Sequence, residues 1–303
     1  MKKYWVCLIL FLTLKMERIV CVLSFCLVFL TTVFAETPDS LSVKDDIGLS
    51  KNFSFGIGFG RENHHVSYLS PMLYSGSPTE IWAERINRKR KGEKDFFSLT
   101  NLRLHSSNLI SQNDENTMHV RSIMFDYHYY YDWKLAPNFN MHCGGYVGGE
   151  FGSDKMESSL WVGNNPEFLR IDISLLGLSF RPTLSFHTKR RVIKISNQFD
   201  LRLAGWVHSP YYTQIYSDVE NLTDAIDFNS FSEKIRFANK LTVDLPLRRT
   251  TLRLGMLVER SKSNINMIDN RTLNVQALVG FSFDYLTKSG RLNKTSQFKT
   301  IFE

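Results

Sequence analysis

The chain has 303 residues, enough for one large β domain or two smaller ones, and its apolar residues include 23 Phe and 12 Tyr, a bias toward strands. The formal charge of +7 falls to +4 once residues 1–35, with four basic residues and one acid, are set aside. So mild a surplus gives no argument for nucleic acid, and past residue 35 no run of twenty apolar residues offers a membrane-spanning helix.

Residues 1–35 read as a secretion signal. Met16-Glu17-Arg18 is a charged start, Ile19–Phe34 is apolar, and Val33-Phe34-Ala35 ends on the small residue that signal peptidase needs. Met16 is then an alternative initiator. Three of the four cysteines leave with this segment, so Cys143 stands alone and the mature fold must hold without an internal disulfide. Glu36–Lys51 is a short polar lead-in.

From there the chain alternates apolar and polar residues with the period of two that a strand requires. Asn52–Gly60 sets Phe53, Phe55, Ile57 and Phe59 against Asn, Ser and Gly. Arg61–Thr79 is rich in turn residues and reads as a loop or short hairpin, Glu80–Asn87 as a weaker strand, and Arg88–Lys94 as a basic turn. Asp95–Ser107 alternates imperfectly before the polar stretch Asn108–Asn116. Thr117–Trp133 places Ile123, Phe125, Tyr127, Tyr129, Tyr131 and Trp133 on one face, and Asn138–Phe151 returns after a turn at Lys134–Pro137. The glycines of GGYVGG lack a following helix and so read as strand glycines rather than a phosphate loop. After the loop Gly152–Glu167, Phe168–Phe186 changes phase near Gly177, which predicts a bulge. Val192–Trp206, Phe231–Leu245 and Thr250–Ser261 follow, separated by the turn His187–Arg191, the long loop Val207–Ser230 and the turn Pro246–Arg249. Thr272–Leu286 is the longest clean strand, with Leu273, Val275, Ala277, Val279, Phe281, Phe283 and Tyr285 on one face. Thr287–Glu303 is a basic polar tail.

The connections alternate short and long. Short turns are basic, whereas Val207–Ser230 carries Asp218, Glu220, Asp224 and Asp227 with no Lys or Arg. That asymmetry predicts an all-β fold, a transmembrane antiparallel up-and-down β-barrel of about ten strands, or twelve if YLSPMLY pairs as well. Its apolar faces would meet lipid. Tyr127, Tyr129, Tyr131, Trp133 and Tyr285 would form an inner aromatic girdle, and Trp206, Tyr211, Tyr212 and Phe231 an outer one.

Ser67-Tyr68-Leu69-Ser70-Pro71, Tyr74-Ser75-Gly76, Asn164-Asn165-Pro166 and Ser209-Pro210-Tyr211-Tyr212 resemble recurrent pieces of an uncharacterised family of outer-membrane β-barrel proteins from the Bacteroidetes. The resemblance covers most of residues 50–287. It implies a fold and an outer-membrane location reached through the periplasm, but no activity and no catalytic residue.

Partners expected of such a barrel are outer-membrane lipid, including lipopolysaccharide, and the barrel-assembly machinery during biogenesis. No cofactor is called for, and His64-His65 lacks neighbours at metal-ligand spacing. His65-Val66-Ser67 has the spacing of a lipid-hydrolase pair, since strand positions two apart share a face, but it lies in a predicted loop with no third partner. Facing inward on three successive strands are Lys194, Asp200, Arg202, Lys234, Arg236, Lys240, Asp244, Arg253 and Glu259. They predict a salt-bridged, side-chain-filled lumen; the alternative is a narrow passage or pocket for anionic solutes, because six bases face three acids.

Overall fold

The computed structural model describes residues 49–91, 94–158, 167–188, 191–210, 225–247 and 250–287. The expected signal, the polar lead-in up to residue 48, the tail from 288 and the centres of the loops at 159–166 and 211–224 lie outside them.

Eleven strands make one antiparallel sheet: β1 (Leu49–Val66), β2 (Tyr74–Lys91), β3 (Lys94–Ser111), β4 (Asn116–Ala136), β5 (Phe139–Ser158), β6 (Glu167–Thr188), β7 (Arg191–His208), β8 (Ile226–Ser230), β9 (Lys234–Pro246), β10 (Thr251–Ile265) and β11 (Ile268–Thr287). Ten of them close a ring in chain order, with β9 following β7 and β11 returning to β1. The closing seam runs the full length of β1, from Leu49↔Thr287 to Val66↔Asn270. Closure gives each of these ten strands a partner on both sides. This is the ten-stranded reading; the stretch YLSPMLY supplies only the connection between β1 and β2 and the first residue of β2.

β8 is the extra piece. It pairs with β7 over Ala204↔Ser230 to His208↔Ile226, while β9 pairs with the lower part of β7 from Lys194↔Asp244 to Leu201↔Phe237. Thus β8 and β9 run in one line along β7, interrupted at Phe231–Glu233. The predicted loop Val207–Ser230 therefore contains a strand at its end.

The exterior matches the alternation read from the sequence. Phe53, Phe55, Ile57 and Phe59 of β1, Ile123, Phe125, Tyr127 and Tyr129 of β4, and Phe281 and Phe283 of β11 all project outward and are exposed. Aromatic rings crowd the rim near the chain ends, where Phe96 stacks on Tyr129 at 5.7 Å and Tyr131 meets Trp133 at 6.0 Å. Trp206 and Phe228 stand exposed toward the opposite end. The predicted bulge is present: the register slips around Leu176, where Leu175 and Leu176 both point outward before Gly177 turns in. A Cβ on Gly177 would lie 2.1 Å from the ring of Tyr146, so the bulge makes room for that ring inside the barrel.

Most strands extend beyond their predicted ends. Arg61–Val66 completes β1 and Tyr74–Thr79 begins β2, so the predicted loop shrinks to residues 67–73. Likewise β2 runs to Lys91 and β3 begins at Lys94, so most of the predicted basic turn Arg88–Lys94 is strand. The physical reason is common to these cases. Above and below the apolar belt the outward positions need not be apolar, so the alternation fades while the backbone ladder continues.

Candidate functional site

The inward positions of every long strand converge on the lumen, which successive layers of side chains occupy. At the end holding the chain termini, Phe97, Leu99 and Tyr130 cluster with Ile86, and Phe97 stacks on Tyr130 at 4.6 Å. Just inside, Arg253 donates to Asp244 at 2.6 and 2.9 Å, to Glu84 at 2.6 Å and to Ser54 at 2.9 Å. Lys240 also binds Glu84 and lies 5.0 Å over the ring of Trp82. Trp82 is fully enclosed because β1 and β11 present glycine to it: a Cβ on Gly56 or Gly280 would come 2.6 Å from its ring.

Farther up, Arg103 and Arg236 share Glu259 at 3.0 and 2.6 Å, with Glu80 and Asp126 each 3.7 Å from Arg103. Lys234 reaches Asp172 at 2.6 Å and Arg202 approaches the same carboxylate at 3.4 Å. His128 lies 3.3 Å from Asp200, which also accepts from Ser179 and from Gln198 at 2.7 Å. Next comes a set of histidines: His105 at 2.9 Å from Glu62, and His64 at 3.1 Å from Asp154. Arg170 binds Asp154 and reaches Glu150 at 2.8 Å.

The far end is sealed by oil. Val66, Tyr74, Leu109, Met118, Val120, Phe168 and Ile268 point inward and pack with Leu69 of the 67–73 connection, which folds over the opening. Tyr68 lies against Phe168, ring centres 5.7 Å apart, and desolvation there pushes its phenol above the ordinary tyrosine range. Outside this seal Glu157 accepts from His119 and Lys155, the former's hydrogen bond chiefly holding its carboxyl below the usual range.

All nine predicted lumen residues do face inward, but they do not form one pocket. Lys194 lies in the cavity at the terminal end, Lys240, Asp244 and Arg253 in the layer around Glu84, Arg236 and Glu259 with Arg103, Asp200 with His128, and Arg202 and Lys234 on Asp172. The cationic surplus read from three strands is offset by acids on the other strands: Glu62, Glu80, Glu84, Asp126, Asp132, Glu150, Asp154 and Asp172. Their signal was present in the alternation of β2, where Glu80 and Glu84 flank Trp82 between outward Ile81 and Ala83. Those on β1 and the upper part of β5 lay in stretches read as loop.

His65 and Ser67 are not brought together as a catalytic pair. The His65 Nδ1–H donates to the Met72 carbonyl at 3.0 Å, while the Ser67 hydroxyl accepts from the Asp269 amide at 2.8 Å. Both are turn-holding contacts that fix the 67–73 connection. Thr272, His64 and Asp154 do form a hydrogen-bonded chain, with Thr272 Oγ1 2.8 Å from His64 Nδ1. Arg170 neutralises its acid end, and the chain lies beneath the apolar seal, as expected of a buried structural network. Among the described residues no group of three or more His, Cys, Asp or Glu is placed to hold a metal ion.

Solved structures similar to this chain include the outer membrane protease OmpT from Escherichia coli, at 8% identity over 82% of this chain and 99% of that one, TM-score 0.46. The translocator domain of the autotransporter NalP from Neisseria meningitidis is 11% identical over 79% and 89% of the two chains, TM-score 0.40. The Pseudomonas putida toluene transporter TodX is 9% identical over 78% and 90%, TM-score 0.31. No curated protein matches the chain. The family profile described as protein of unknown function (DUF3316) matches residues 20–291, and with all eleven strands inside that match the chain belongs to this family of unknown function.

Proposed function

We propose that the protein is an integral outer-membrane barrel that does not conduct, stands in lipid after assembly by the barrel-assembly machinery, and works through what it presents at the membrane surfaces. The observation that carries this reading is the filled lumen: stacked ion-pair layers around Glu84, Glu259 and Asp172, closed at one end by the seal around Leu69 and Tyr74. Ten strands enclose little more than their own side chains, and the voids between layers have room only for a few waters, about 60 Å³ beneath the seal and about 30 Å³ beside Trp82's layer. An anion crossing would have to break several buried pairs in series, and it would meet as many acids as bases. The far rim, where β5 ends, β6 begins and β7 meets β8, would then be the binding surface.

The test is planar-bilayer recording on the purified, refolded chain. Silence above leak at voltages up to those that open ordinary porins is the expected result. Reproducible single-channel steps from the unmodified protein would overturn the closed-lumen reading.

A further inference from the structure

The lumen ends, on the side of the chain termini, in a cavity of about 70 Å³ that the layers above shut off from the rest of the barrel. Its charged lining is one-sided. Arg88, Arg181, Lys194 and Arg253 face it, against the single carboxylate of Asp244. Three of these cations are engaged: Arg88 with Asp132, Arg253 with Asp244 and Glu84, and Lys194, the cross-strand neighbour of Asp244, also has a partner.

Arg181 is different. It sits at an inward position of β6, opposite His142 of β5, and is only 7% exposed. Among the described residues no carboxylate lies within 4 Å of it, Glu84 acting on it only from farther off, and its Nη1 is buried with no hydrogen-bond partner. The Nη1 N–H donors of this guanidinium remain to be met, in a cavity whose wall also includes Ile86 and Phe97. Around it stand neutral donors of the kind that complete an oxyanion shell: Asn140, and Thr183 with Ser196, whose hydroxyls are 3.1 Å apart.

We propose that this vestibule is a binding site for a compact oxyanion, a phosphate or carboxylate group, seated on the Arg181 guanidinium with Asn140, Thr183 and Ser196 as further donors. The fork of Arg181 matches two oxygens of such a group, which a point charge would not. The site is a dead end, since the Arg253–Glu84 layer closes it inward, so the ligand enters and leaves by the same mouth. This holds whether or not the loops at the far rim bind anything, and it does not depend on the lumen being closed to current along its whole length.

Isothermal titration of the detergent-solubilised barrel with inorganic phosphate and, separately, with acetate at constant ionic strength tests the assignment. Saturable one-to-one binding of at least one of them is expected, weakened at least tenfold in Arg181→Gln and unchanged in Arg121→Gln, which alters an exposed, outward arginine on β4. The arms distinguish the chemistry: phosphate alone assigns a phosphate group, acetate alone a carboxylate. Asn140→Asp is a second variant that keeps Arg181 and supplies a tethered carboxylate beside it; it should fold, by heat-modifiable migration, and lose the binding. Non-saturating heats with both ions, or wild-type affinity in either Arg181→Gln or Asn140→Asp, would overturn the site.

Discussion

At Arg253 a single guanidinium holds two carboxylates, Asp244 and Glu84, and a serine hydroxyl from three different strands. Removing one partner of such a buried set is expensive because the others stay behind uncompensated. Arg253→Met should therefore destabilise the folded barrel by about 3–5 kcal/mol, read from urea titration in lipid vesicles, whereas the exposed Arg260→Met, on the outward face of the same strand, should change little. Arg253 was legible in the sequence, as an inward residue between Leu252 and Leu254. Its partner Glu84 was not assigned to the lumen, because a strand holding Glu80, Glu84 and Arg85 looks weak until the opposite wall is known. A sequence shows on which face a charge sits; it does not show which distant strand will answer it.

At the level of elements, the hairpin between β10 and β11 turns in two residues, Asn266 and Met267, both with positive φ at 53° and 65°. These mirror-image turns match the right-handed twist of a strand pair, and they suit Asn and Gly far better than Met. Asn266 has a second task, donating to the Ser209 carbonyl at 2.7 Å and to Asp227 at 2.5 Å, which ties the hairpin to β8 and to the end of β7. Met267 has none that burial reveals, being 76% exposed. Met267→Gly should therefore stabilise the barrel by roughly 1 kcal/mol, a relief of left-handed strain, and unfolding in urea would show the gain as a higher midpoint. The alternation of β10 and β11 could be read directly, but their tight turn could not. Lys262, Asn264, Asp269 and Arg271 are polar on the outward face near the hairpin, so the pattern ends before the strands do.

Over the whole molecule, the barrel requires acyl chains against its outer face and none against its inner one. Trp82 is enclosed at 1% exposure, while Trp133 and Trp206 stand outside at 56% and 42%. In vesicles of lipids with brominated acyl chains, a variant keeping only Trp133 or only Trp206 should lose much of its fluorescence, and one keeping only Trp82 should lose little. Equal quenching of all three would mean that the wall does not face acyl chains. This inside-out arrangement was the most legible property of the sequence, because a period of two with one apolar face over strand after strand leaves few other folds. What could not be read was how the interior is divided. That depends on side chains from opposite walls meeting across the axis, as Arg103 meets Glu259 and His64 meets Asp154.

The wall is not uniform. Between Ala204 and His208, β7 is bridged only to the five residues of β8 on that side, whereas the neighbouring stretch of β7 faces β9, which is itself laced to β10 along its length. β8 has a ladder on one edge alone, so its amides should trade for deuterium well before those of β9, although the two lie in one line. A split protection pattern along that line would identify a small shutter of backbone that opens while the remaining hoop keeps its shape.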